Sequence, residues 1–146
     1  MLVERMLSAA GTRLYTIADD APLMDAAALL GEIDTDLLVV RSGGQLAGVI
    51  TKTDIVRQIG CCNGAGCTTA AAAVMTRAVI VCRPDDRLQD VWSVMKDRRV
   101  KNIPIVDWEA KPLGVLNARD TLEVLLEEVE YEEVLLREYV MCIGYR

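Results

Sequence analysis

The sequence contains no histidine and no phenylalanine, and aromatic residues make up only 4% of its 146 residues. Without histidine, no Ser–His or Cys–His pair can be assembled, and no imidazole is present to bind a metal. The commonest arrangements for nucleophilic and zinc catalysis are therefore excluded, which leaves only enzymes of other kinds. We expect no metal cofactor and no catalytic residues.

Long apolar runs are also missing. No run is long enough to span a bilayer, and Glu4 and Arg5 lie where the apolar part of a secretory signal would have to be. The five cysteines, an odd number, favour reduced thiols over a disulfide framework. These absences predict a cytoplasmic protein without membrane contact.

Basic residues are outnumbered, with 16 Lys and Arg against 22 Asp and Glu and a net charge of −6. Nucleic acids require a concentrated basic face, so we expect no nucleic-acid partner. Any anionic ligand must be held by local groups. The 52% hydrophobic and 26% charged composition is typical of a folded, soluble protein with one good core or two small ones.

Two short segments resemble each other: residues 48–54 read GVITKTD and residues 114–120 read GVLNARD. In each, an apolar strand leads into a helix, with Thr51 or Asn117 at the N-cap and Asp54 or Asp120 in the first turn. Free N–H groups at a helix start suit a phosphate, and a carboxylate nearby suits the two hydroxyls of a ribose. An ordinary capped helix with a favourably placed acid gives the same pattern.

The repetition extends beyond these segments and favours the ligand-binding interpretation. Equivalent positions are 66 residues apart (48 and 114, 51 and 117, 54 and 120). The predicted order in each half is strand, helix, strand, strand, helix. The predicted elements are strand 14–17, helix 22–33, strands 37–40 and 46–50 and a helix to 59 ended by Gly60, then strand 79–82, helix 84–97, strands 103–106 and 113–116 and a helix from about 119.

The fold class predicted from this order is α/β (α+β), with two β-α-β-β-α repeats packed about a pseudo-twofold axis. Each copy of about 50 to 60 residues is too small to be comfortably stable alone, so we expect the two sheets to pack together with clefts between them. The predicted organisation is a first repeat at 12–60, a linker at 61–75, a second repeat at 76–130 and a C-terminal helix and tail at 131–146. Residues 1 to 13 are predicted to be a lead-in.

On these motifs and this element order, the chain resembles a tandem pair of CBS domains, named from cystathionine β-synthase. The resemblance covers about residues 12 to 128. It implies a non-catalytic module that binds an adenosine-containing ligand such as AMP, ADP, ATP, NAD(H) or S-adenosylmethionine and regulates a partner protein. The expected ligand is an adenine nucleotide.

The resemblance also implies which residues bind the nucleotide. Asp54 is expected to hold the ribose hydroxyls, and Asp120 has the same role in the second repeat, where Asn117 replaces the usual Ser or Thr. Cations that could face the phosphate are Lys52, Arg57, Lys101 and Arg119, with Arg13 and Arg99 further away. The remaining expected contacts are Thr51 and Thr53 near the ribose phosphate, Ile17, Ala18, Leu37 and Leu38 in the first base slot, and Val79, Ile80, Asn102, Ile103 and Pro104 in the second.

Two further features lead to alternatives. Cys61, Cys62 and Cys67 lie close together and permit a thiol-based redox or metal sensor, although their spacing lacks a paired Cys-x-x-Cys. The last helix has apolar residues that continue past its own repeat, with a phase shift that predicts a bend near Glu130; Leu122, Leu125, Leu126 and Val129 are expected to pack on the core. The rest of its apolar face predicts a homodimer contact.

The sequence therefore predicts a sensor that binds an adenine nucleotide, forms a homodimer and acts through an unknown effector protein. No attached output domain is recognisable in it. The alternatives are a structural dimerisation module with empty sites and a thiol-based sensor.

Overall fold

The computed structural model describes residues 1–32, 35–61 and 69–144, with the side chains of 61 and 142–144 not described. The chain alternates helices and short strands in two halves. After a 3-10 helix at Val3–Met6, the elements are α1 (Leu7–Thr12), β1 (Thr16–Ala18), α2 (Leu23–Glu32), β2 (Leu37–Ser42), β3 (Gln45–Thr51), α3 (Lys52–Cys61), α4 (Ala71–Val74), α5 (Leu88–Arg98), β4 (Asn102–Val106), β5 (Pro112–Asn117) and α6 (Ala118–Gly144).

The first half contains a three-stranded sheet in the order β1-β2-β3. β1 runs parallel to β2, and β2 and β3 form an antiparallel hairpin that places Leu37 opposite Thr51. The turn is made by Gly43 and Gly44, whose φ angles are +59° and +81°. Such angles are those of tight hairpin turns, for which glycine is favoured. The hairpin and α2 lie where the sequence predicts them, and α3 continues through Gly60 instead of ending there.

In the second half, the strands that the structure describes form one two-stranded sheet, the β4–β5 hairpin. The predicted strand at 79–82 is wrong, because only Cys82 forms an isolated parallel bridge, to Ile105. The physical reason lies in the backbone, since the Val79 N–H donates to the Arg77 carbonyl at 3.0 Å and turns the chain. On the other side, Pro84 lacks an N–H and cannot continue a strand ladder.

The N-terminal segment is not a peripheral lead-in, because it completes the core of the second half. Val3, Met6 and Ala10 are buried in one cluster with residues of α5, β4 and β5. The backbone reinforces this packing, since the Leu88 N–H donates to the Met1 carbonyl at 2.9 Å. α4 has the reciprocal role, since Ala71 is buried in the core of the first half. Each core is therefore completed by a helix that precedes the other half in the sequence.

The glycines of the two motifs allow this exchange. A Cβ atom on Gly48 would lie 2.6 Å from the Thr76 carbonyl oxygen, and one on Gly114 would lie 2.8 Å from the Ala10 carbonyl carbon. Both distances are shorter than real Cβ contacts. The motif glycines are therefore needed for the close approach of the exchanged segments.

The two halves pack sheet against sheet, as the sequence predicts. Val39 and Val49 of the first half share a buried cluster with Val115 of the second. The hairpin tips also meet, because the Leu46 N–H donates to the Ala110 carbonyl at 2.8 Å. This packing brings the start of α3 and the start of β4 to the same side of the molecule.

α6 continues as one helix through Glu130, where the sequence predicts a bend. Its contact face differs from the predicted one. Thr121 is fully buried, and Val124 and Leu125 pack on the second core, whereas Leu122, Leu126 and Val129 are exposed. α6 therefore packs on the core with a different face from the one that carries Leu122, Leu126 and Val129. These three side chains are left exposed.

Candidate functional site

The start of α3 is held by reciprocal hydrogen bonds between Thr51 and Asp54. The Thr51 backbone N–H and hydroxyl donate to Asp54 Oδ2 at 2.9 and 3.1 Å, and the Asp54 N–H donates to Thr51 Oγ1 at 3.3 Å. This is a capping box, so the predicted cap is confirmed. Within the described residues, the other carboxylate oxygen, Oδ1, receives no hydrogen bond from the protein. Asp54 is only partly buried, so this oxygen has capacity to accept hydrogen bonds from a ligand.

The start of α6 is capped in the same way by Asn117. Its Oδ1 accepts hydrogen bonds from the N–H groups of Arg119 and Asp120 at 2.9 and 3.3 Å. Its amide donates to Asn102 Oδ1 at 3.1 Å, which ties β5 to the start of β4. The side-chain amide of Asn117 therefore caps α6 as the hydroxyl of Thr51 caps α3, which the sequence predicts.

Both carboxylate oxygens of Asp120 accept hydrogen bonds, whereas only one oxygen of Asp54 does so within the described residues. Arg13 Nε donates to Asp120 Oδ2 at 2.6 Å, and a terminal guanidinium nitrogen donates to Oδ1 at 3.0 Å. This two-bonded geometry is the strong form of an Arg–carboxylate pair. The sequence predicts a position for Arg13 further from the phosphate, because the 107 positions that separate Arg13 from Asp120 leave no local signal for their contact.

A cleft of about 460 Å³ lies between the two halves beside the start of α3. It joins predicted residues of both repeats. It is lined by Asp36, Leu37, Thr51, Lys52, Thr53, Arg99, Val100, Lys101 and Asn102. Of these, Asp36 and Val100 were not among the predicted candidates, and Arg99 was predicted to be further away.

The cleft carries three cationic side chains, Lys52, Arg99 and Lys101, against one carboxylate. The carboxylate belongs to Asp36, and Lys52 Nζ lies 3.2 Å from its Oδ1 with both side chains more than half exposed. Such an exposed pair is weak and leaves Lys52 able to change partner. The N–H groups at the start of α3 add the positive end of the helix dipole. The cleft is thus suited to an anion despite the net negative charge of the chain.

The remaining predicted contacts are distributed elsewhere. The side chains of Ile17 and Leu38 are buried in the first core, and those of Ile103 and Pro104 are buried in the second half. Ala18 is exposed at the end of β1, and Val79 packs at the contact between the halves.

Ile80 and Ile103 line a separate cavity of about 260 Å³, away from Asp120. Arg119 is exposed and pairs with Glu123 of its own helix.

The alternative thiol site falls on Cys61, Cys62 and Cys67, of which 62 and 67 lie outside the described residues and 61 has no described side chain. Among the residues that are described, no group of three or more His, Cys, Asp and Glu is placed to hold a metal. Cys82 is buried, and burial together with the charge of Asp86 raises the pKa of its thiol to about 12. A thiol with this pKa is protonated near neutral pH and is a poor nucleophile. None of the helices in the described part of the chain is both long and apolar enough to cross a membrane.

Comparison with known proteins identifies the fold. A family model described as CBS domain matches residues 8–60 and 71–127. The inosine-5′-monophosphate dehydrogenase of Nitrosopumilus maritimus (strain SCM1) is 28% identical over 107 residues, which are 73% of this chain and 21% of that protein. The chain spans about a fifth of the length of several curated relatives that it matches.

Two solved structures give the same fold. The CBS domain pair of protein MJ0100, in complex with 5′-methylthioadenosine and S-adenosyl-L-methionine, has a TM-score of 0.72 and 22% identity over 88% of this chain and 98% of its own. CBSX2 in complex with AMP has a TM-score of 0.68 and 21% identity over 80% of this chain and 90% of its own. The two matched segments together make up most of the sequence, so the chain belongs to the CBS-domain family and contains two CBS domains in tandem.

Proposed function

We propose that this chain is a regulatory module that binds an adenine nucleotide between its two halves, with Asp54 as the ligand for the ribose hydroxyls. The observation that carries the proposal is the state of the Asp54 carboxylate. One oxygen is used in the cap of α3, and the other receives no hydrogen bond from the described residues. Asp54 follows directly after Thr53, which lines the cationic cleft, although Asp54 itself is not part of the lining. A carboxylate with one oxygen available at this position suits a ribose that carries phosphate.

The phosphate is expected to lie in the cleft, near the start of α3 and the side chains of Lys52, Arg99 and Lys101. Thr53 adds a hydroxyl and a first-turn N–H on the same wall. The cations come from both repeats, so a bound phosphate would connect the two halves. Ligand binding would therefore favour one arrangement of the halves over another, which is how a module of this kind can change its affinity for a partner protein.

The class of ligand is proposed from the relatives. One neighbour was solved with two adenosine derivatives and another with AMP. The positive cleft of this chain favours an adenosine ligand with phosphate, of the AMP, ADP, ATP or NAD(H) class, over an uncharged or cationic one. In this proposal the chain binds its ligand without catalysing a reaction on it. The regulatory effect is exerted on a separate effector protein.

The experiment that tests this function is calorimetric titration of the whole chain with AMP, ATP, NADH and S-adenosylmethionine. We expect at least one phosphate-bearing ligand to bind more tightly than S-adenosylmethionine. If none of the four binds, the proposed function is wrong, and the alternative of a structural module with empty sites takes its place.

We also propose that the chain is a homodimer joined through the C-terminal part of α6. Beyond the last contact with the second core, apolar side chains on this helix are about half or more exposed. They include Val134 at 50%, Leu136 at 65%, Tyr139 at 65% and Val140 at 64%. An uncovered apolar face of this length is typical of an interaction surface.

The double variant Leu136→Gln/Tyr139→Gln is expected to weaken this dimer by at least about 30-fold, since large apolar side chains that anchor an interface contribute about 1 kcal/mol or more each. Sedimentation equilibrium over a range of concentrations measures the change. Trp108→Gln removes another apolar side chain, 75% exposed on the β4–β5 turn, and is the matched control. A wild-type chain that is monomeric at all concentrations, or a double variant as dimeric as the wild type, would contradict the proposal.

A further inference from the structure

The two Asp residues of the repeated motif have different hydrogen-bond partners. The difference comes from one side chain, that of Arg13. Among the described residues, Asp54 bonds only to the start of its own helix, whereas both oxygens of Asp120 accept hydrogen bonds from Arg13. The side chains of Arg13 and Asp120 are 33% and 21% exposed. The pair is therefore better shielded from solvent than an ordinary surface ion pair, and more costly to separate.

The position of Arg13 is fixed by the packing of the N-terminal segment. α1 lies against β5 so closely that a Cβ on Gly114 would lie 2.8 Å from Ala10. The chain then turns at the end of α1, where the Arg13 N–H donates to the Ala10 carbonyl at 3.1 Å. β5 leads directly into the start of α6, so the same contact holds Arg13 beside Asp120.

The first repeat has the equivalent contact at its motif glycine, but a different residue follows the segment that makes this contact. Ala10 meets Gly114, and Met75 meets Gly48; the two glycines are 66 positions apart, and the two buried residues that meet them are 65 apart. Three residues after Ala10 is Arg13, and three residues after Met75 is Ala78. Ala78 is exposed and supplies no cation, and the next residue, Val79, packs in the same apolar cluster as Leu14, the residue after Arg13. The pseudosymmetry of the fold thus brings a guanidinium to Asp120 and an apolar side chain to the equivalent place in the other repeat.

We infer that Arg13 closes the second nucleotide site by occupying the carboxylate of Asp120, so that the pair of domains binds one adenine nucleotide, at Asp54. This rests on the proposed function, because it assumes that the motif carboxylate receives the ribose. A ribose can bind at Asp120 only after both guanidinium hydrogen bonds are broken. Arg13 is therefore a residue that determines stoichiometry, and the N-terminal segment that carries it controls the second site.

The experiment measures AMP binding at the second site in a chain whose first site is weakened. Asp54→Asn removes the first carboxylate, and AMP is then titrated calorimetrically into Asp54→Asn and Asp54→Asn/Arg13→Gln. We expect the double variant to bind AMP at least about tenfold more tightly than the single variant. Adding Asp120→Asn to the double variant should remove that gain. Arg41→Gln, which removes an exposed arginine near the end of β2, is the control for loss of one positive charge.

In the Asp54→Asn background, an Arg13→Gln change that leaves the AMP affinity unchanged or weakens it overturns the inference. This holds whether or not the first site binds AMP in the wild-type chain. If the wild-type chain binds no AMP, binding that appears in Arg13→Gln and is lost in Arg13→Gln/Asp120→Asn still supports it, and absence of binding in Arg13→Gln overturns it. Should Arg13→Gln fail to fold, Arg13→Lys keeps the charge but loses the two-bonded geometry. Arg13→Lys is then expected to give a smaller increase in AMP affinity than Arg13→Gln would. The absence of any increase overturns the inference.

Discussion

Asp54→Asn is expected to lower the affinity of the chain for AMP by roughly 30- to 150-fold, equivalent to about 2–3 kcal/mol. The carboxylate accepts charge-assisted hydrogen bonds from the ribose hydroxyls, and an amide offers one neutral acceptor in its place. The amide oxygen of the asparagine can still accept the hydrogen bond from the Thr51 N–H, so the capping box at the start of α3 should be kept. Calorimetric titration of AMP into the wild type and the variant measures the change directly.

Asp25→Asn is the matched control for this variant. Asp25 is also an acidic residue in the first turn of a helix, α2, and its side chain is exposed away from the cleft. Its replacement removes the same charge and the same favourable interaction with a helix dipole. We expect AMP affinity to change by less than about twofold. Equal losses in the two variants would mean that Asp54 acts through general charge and not through the ribose.

Gly48→Ala is expected to destabilise the fold by about 1–3 kcal/mol, because inserting a methyl group into a packed site forces the backbone apart. The new Cβ would lie 2.6 Å from the Thr76 carbonyl oxygen and 2.8 Å from the sulfur of Met75. The carbonyl belongs to a backbone pairing in which Val49 and Thr76 exchange hydrogen bonds of 3.0 and 2.8 Å, so it cannot move without loss of those bonds. Equilibrium urea unfolding of the wild type and the variant gives the difference.

Gly31→Ala is the control for this prediction. Gly31 lies in α2, and nothing is found within 4 Å of the position that its Cβ would occupy. Alanine is a better helix former than glycine, so we expect a gain of about 0.5–1 kcal/mol. If Gly48→Ala were as harmless as Gly31→Ala, the exchanged packing of the N-terminal segment and α4 would not be the reason for the motif glycines.

The features that sequence predicts well here are local ones. The Gly43-Gly44 turn fixes the first hairpin, and the apolar runs on either side supply its strands. Thr51 and Asn117 cap their helices because the relevant hydrogen bonds span only three residues. Repetition of these local signals at a constant spacing was sufficient to predict the tandem fold.

The features that sequence misses depend on contacts between distant segments. Nothing near Ala10 indicates that α1 will lie on β5, because that contact exists only once both halves have formed. The pairing of Arg13 with Asp120 follows from the same contact. Val79 was predicted to lie in a strand because its neighbours are apolar, but its apolar character serves the contact between the halves. Long-range packing, and not local propensity, decided these positions.

The central claim is that Asp54 holds the hydroxyls of a ribose, and the most direct test uses the unmodified protein with two ligands. AMP and 2′-deoxy-AMP have the same base and phosphate, and differ only in one hydroxyl of the diol. Comparison of their dissociation constants by calorimetry should show 2′-deoxy-AMP to be at least about tenfold weaker, since one hydrogen bond to a charged acceptor is lost. Equal affinity for the two nucleotides would contradict the account.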